Sequence, residues 1–68
     1  MSSFIEANQA RLSLKMQLSN FALYKGSFIE AKDDDMIIVI MAAHVDNLVK
    51  KLVPIVHHGV KVIIKEVS

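Results

Sequence analysis

Met36-Ile37-Ile38-Val39-Ile40-Met41 is apolar at all six positions and runs on through Ala42 and Ala43. The four residues at its centre are β-branched, which favours an extended backbone whose side chains pack on a pleated surface. In a strand, alternate side chains point to opposite faces. Ile38 and Ile40 then share one face, Ile37, Val39 and Met41 the other, and both faces need cover. The run therefore reads as a central strand. Its eight residues fall well short of the roughly 20 that a membrane-spanning helix needs.

Immediately upstream, Asp33-Asp34-Asp35 separates this strand from Phe28-Ile29-Glu30-Ala31, and the two arms read as a hairpin. Further back, Arg11 to Ser19 alternates strictly, with Leu12, Leu14, Met16 and Leu18 at every second place. That is the period of a half-buried strand. Wound as a helix, the stretch would set Leu12 and Met16 opposite Leu14 and Leu18 and leave no polar face, so the period is taken over the helix propensity of Leu, Met, Lys and Gln. Ser3-Phe4-Ile5-Glu6 fits a capping box, which leaves a short helix over 3–9 open. A phase slip near Asn20 suggests a bulge or tight turn, and Gly26 suggests a second turn. Ser3-Phe4-Ile5-Glu6-Ala7 recurs as Ser27-Phe28-Ile29-Glu30-Ala31. Aligning the copies keeps the apolar phase, as two related hairpin-like units would.

Downstream, Val45, Leu48, Val49, Leu52, Val53, Ile55 and Val56 form a helical stripe within 44–58. Pro54 should kink or break that helix. His57, His58 and Gly59 suit its C-terminus. Val60 to Val67 reads as a last strand, with Lys61 and Lys65 suited to an edge. The expected fold is α+β: a small antiparallel sheet of about three strands, one helix packed on one face, and one C-terminal strand, all in a single domain over 1–68.

The chain has 68 residues, 53% of them hydrophobic, no cysteine, and a net charge of +1. Absence of cysteine excludes disulfides, thiolate zinc sites and thiol catalysis, and fits a reducing, cytoplasmic setting. Near-zero charge gives no general attraction to nucleic acid or anionic lipid. The opening residues lack the basic and apolar regions of a signal peptide. His44, His57 and His58 are the groups that titrate near neutrality, and one of them with Asp33, Asp34 or Asp35 could form a metal site or an acid/base pair. Adjacent histidines lack the i, i+4 spacing of a metal-binding helix, and three consecutive aspartates lack the spaced ligands of a calcium loop. The expectation is therefore a helix terminus and a solvated turn, with no metal, no cofactor and no catalytic residue.

What remains is a mismatch between apolar content and cover. One short helix cannot shield both faces of a strand as apolar as Met36–Met41. The expectation is a non-enzymatic protein-binding module acting as a homo-oligomer: an inhibitor, adaptor or assembly subunit whose partners are itself and a second protein. The surface would be an apolar sheet face, Ile37, Val39 and Met41 with Phe21, Tyr24 and Phe28, or a strand edge. The alternative is a nucleic-acid binder using Arg11, Lys15, Lys50 and Lys51.

Overall fold

The computed structural model describes residues 4–33 and 35–67. In chain order these form α1 (Phe4–Leu18), β1 (Tyr24–Lys32), β2 (Asp35–Ala42), α2 (Asn47–Leu52), β3 (Val56–His57) and β4 (Val60–Glu66). The class is α+β, as expected: a four-stranded mixed sheet, ordered β1-β2-β4-β3, with the helices packed against it. The strand read from Met36 is β2, and it is central. It pairs antiparallel with β1 and parallel with β4. A parallel neighbour requires a crossover, and the segment carrying α2 supplies it.

The core lies on one face of this sheet. Ile38, Ile40 and Ala42 of β2 and Val60 and Val62 of β4 meet Ala7, Ala10, Leu14 and Leu18 of α1 and Val49 and Val53 around α2. Residues 11–19, expected as a strand, are helical up to Leu18. Ala7, Ala10, Leu14 and Leu18 recur at helical spacing and all four are buried. Two alanines begin this stripe, so the backbone approaches the sheet closely where a pattern of large apolar residues shows nothing. The alternation from Leu12 to Leu18 is two helical stripes interleaved.

Phe4–Ala7 is helical, whereas its repeat at Ser27–Ala31 is a strand. The two-hairpin expectation is thereby overturned, since one pentapeptide takes whichever form its tertiary neighbours stabilise. Ser3, the expected cap, lies outside the described residues. The expected turn at Gly26 is instead a bulge within β1, with the register shifting between Tyr24 and Gly26. Gly26 has φ +153, and a Cβ there would stand 3.1 Å from the Met41 methyl carbon. The chain reverses earlier, after α1, where the Phe21 amide donates to the Leu18 carbonyl at 2.9 Å.

The helix expected over 44–58 is confined to six residues. Asp46 caps it, its carboxylate accepting from the Val49 amide at 3.0 Å, a contact worth about 1 kcal/mol. Val53 is extended at φ −99 and ψ 116, as a residue before proline prefers. The expected break at Pro54 is thus found. Beyond it His57 and His58 do not end a helix. His58 at φ 52 and Gly59 at φ 78 form the tight turn joining β3 to β4, and positive φ at both central residues matches the twist of a two-residue hairpin.

Candidate functional site

The sheet face away from the helices carries Ile37, Val39 and Met41, as the alternation requires. Across the strands, Val39 pairs with Phe28 and Ile63, Ile37 with Glu30, and Met41 with Gly26 and Lys65. Yet Ile37 is only 5% exposed and Val39 only 2%. A central strand is flanked on both sides by same-face neighbours, and here Phe28 and Ile63 close over Val39. The inference that this run leaves large apolar side chains in water is corrected accordingly. Phe28, Ile37, Val39 and Met41 share the open face. Phe21 and Tyr24 do not join them, for both pack against the core on the helix side.

Exposed apolar side chains are concentrated elsewhere, in two places: around α2, where Leu48 is 54% exposed, Leu52 45%, Ile55 82% and Val56 55%, and on the outer face of α1. On α1, directly opposite the buried stripe, Ile5 is 70% exposed, Leu12 42% and Met16 78%. With Gln9 and Ser19 they fall at successive steps of four, three, four and three residues. That is the spacing of a coiled-coil seam, the narrow stripe by which one helix packs on another. Leu12, Lys15, Met16 and Ser19 border a shallow groove of about 430 Å³ along it. The strand reading concealed this seam; once the segment is helical, the spacing is visible in the residues themselves.

A second feature joins α1 to β1. Arg11 donates through Nε and Nη2 to the Asn8 side-chain oxygen at 3.0 and 2.9 Å, and through Nη1 to the Ser27 hydroxyl at 3.3 Å. Ser27 is also 3.1 Å from the Tyr24 hydroxyl. Of the other cations proposed for nucleic acid, Lys15 borders the α1 groove, and Lys50 and Lys51 lie in the last turn of α2. The four are spread over two helices, and none is on the sheet.

His57 Nε2 lies 3.3 Å from the Ser13 hydroxyl, a serine–histidine distance that would suit an activated nucleophile. The histidine's other neighbour is the His58 ring, with centroids 4.2 Å apart. No carboxylate among the described residues orients His57, so the pair acts as a tie between the β3–β4 hairpin and α1. Burial, then the nearby His58, hold His57 below the usual histidine pKa. His44 lies instead 3.5 Å from Glu66 at the surface. Asp35 accepts from its neighbouring Met36 amide at 2.9 Å, and Asp34 lies outside the described residues. Among those residues no three His, Asp or Glu gather as a metal would require, and no helix is long and apolar enough to cross a membrane. No protein family, curated protein or solved structure matches the chain.

Proposed function

We propose that this chain is a non-enzymatic protein-interaction module that works as a homodimer, two copies meeting through the outer face of α1. The observation that carries this reading is the seam Ile5-Gln9-Leu12-Met16-Ser19, apolar at three of its five places and open to solvent. It is self-complementary when the helices run antiparallel: Ile5 of one copy falls opposite Met16 of the other, and Gln9 opposite Leu12.

From the exposed fractions, burying Ile5, Leu12 and Met16 on both copies is worth roughly 6 to 11 kcal/mol. Association itself costs about 4 to 15 kcal/mol. The dimer therefore belongs in the micromolar range or weaker. Sedimentation velocity from about 10 μM to about 1 mM covers that range. The native chain is expected to pass from monomer to dimer, and Met16→Glu to remain monomeric with an unchanged circular dichroism spectrum. A native chain that sediments as a 7.6 kDa species at every concentration overturns the reading.

A further inference from the structure

We propose that the outer edge of β1 is a docking site for the C-terminal segment of a partner protein, added as an antiparallel strand whose terminal carboxylate meets Arg11. β1 ends the strand order, and among the described residues nothing pairs with its outer side. An unpaired edge presents a row of backbone donors and acceptors. Native sheets commonly guard such edges with lysines and bulges, and β1 has both, but only at its ends: the bulge around Lys25, and Lys32. Between them Ser27-Phe28-Ile29-Glu30-Ala31 stands open.

Beside that stretch, α1 and β1 enclose a groove of about 380 Å³ lined by Phe4, Asn8, Arg11, Ser27, Phe28 and Ile29. Phe4 of the helix and Ile29 of the strand supply its apolar walls, with Phe28, whose side chain belongs to the opposite sheet face, bordering it at the strand edge. Its one charge is the half-buried Arg11, whose three hydrogen bonds all go to neutral oxygens. No carboxylate among the described residues lies within ion-pair distance of it. A guanidinium has five N–H donors, so one remains on each terminal nitrogen, the pair that grips a carboxylate.

The chain direction settles which carboxylate. A strand antiparallel to β1 begins near Lys32 and finishes at Ser27, where the bulge interrupts the straight ladder. Its last residue therefore arrives beside Arg11. A parallel strand could bring only an ammonium end there, which Arg11 repels. Strand addition of this kind draws affinity from main-chain hydrogen bonds and specificity from pockets for alternate side chains, here the space between Phe4 and Ile29.

The test uses the full chain and a fluorescein-labelled peptide, Gly-Ser-Thr-Val-Thr-Ile, made as the free acid and as the C-terminal amide. Anisotropy is expected to show the amide binding about tenfold more weakly or worse, since it cannot accept a charged hydrogen-bond pair. Arg11→Gln should bring the acid down to the level of the amide, and Arg11→Lys, a point charge without the fork, should fall between. In amide-resolved NMR of the native chain, titration with the acid should move Ser27–Ala31, a reading that does not depend on any variant folding. Equal binding of acid and amide, shifts confined to another element, or no binding of the acid would each overturn the proposal. Sedimentation of the same samples reports self-association separately, so the two ideas stand or fall apart.

Discussion

His57 is where a single protonation event reaches the fold. It is half-buried beside Ser13, and both burial and the His58 ring disfavour its charged form, burial more strongly. The unfolded chain titrates this side chain near pH 6.5. A histidine whose folded pKa lies below that value leaves the folded state with fewer bound protons than the unfolded state as the pH falls through 6.5. Stability from this group is therefore fully present above pH 6.5 and declines on acidification toward its folded pKa. The urea midpoint should drop between about pH 7.5 and about pH 5. His57→Asn should drop less over the same interval, and the difference between the two proteins isolates His57 from His44 and His58. Identical slopes would mean that the tie to α1 carries no proton linkage. The turn that presents this residue was half legible: Gly59 marks a reversal in any reading, but only the pairing of Val56 and His57 with β4 decides that a hairpin, not a helix end, precedes it.

At the scale of elements, β2, its hairpin with β1 and the final strand could be read from the residues because β-branched runs and turn residues agree there. α1 could not. Its buried stripe opens with Ala7 and Ala10, too small to register as core, while Leu12 and Met16 point to solvent and complete a false alternation. The apolar outer face that made a helix look unsuitable is the feature that a partner helix would cover. The interaction surface was sought on β2 for a related reason. Apolarity on both faces of a strand says nothing of its in-plane neighbours, and Phe28 and Ile63 already shield Val39. Helix direction in the proposed dimer can be tested by cross-linking. Ile5→Cys and Met16→Cys proteins, mixed and oxidised, should form the mixed disulfide in preference to either symmetric one, because antiparallel pairing brings position 5 of one copy to position 16 of the other. Symmetric Ile5→Cys dimers in excess would indicate parallel helices instead.

For the whole molecule, size governs what association can do. A chain this short buries only about 60% of the surface its unfolded form exposes, so its own core leaves it marginally stable. All of the α1 and α2 cover lies on one sheet face, and the chain has no disulfide to add to it. A dimer that forms only between folded copies then raises stability by mass action. Where the dimer predominates, each tenfold rise in concentration contributes about 0.7 kcal/mol per copy, which for a domain of this size moves Tm by roughly 3 to 5 °C. Calorimetry over two decades of concentration should show that rise for the native chain, and a flat Tm for Met16→Glu. The same measurement separates the α1 seam from any edge-to-edge pairing of β1, because Met16→Glu leaves the β1 edge intact: a concentration dependence that persisted in that variant would place the contact at the edge. A Tm that ignores concentration in the native chain would mean that the outer face of α1 stays in water, and the dimer reading would fall with it.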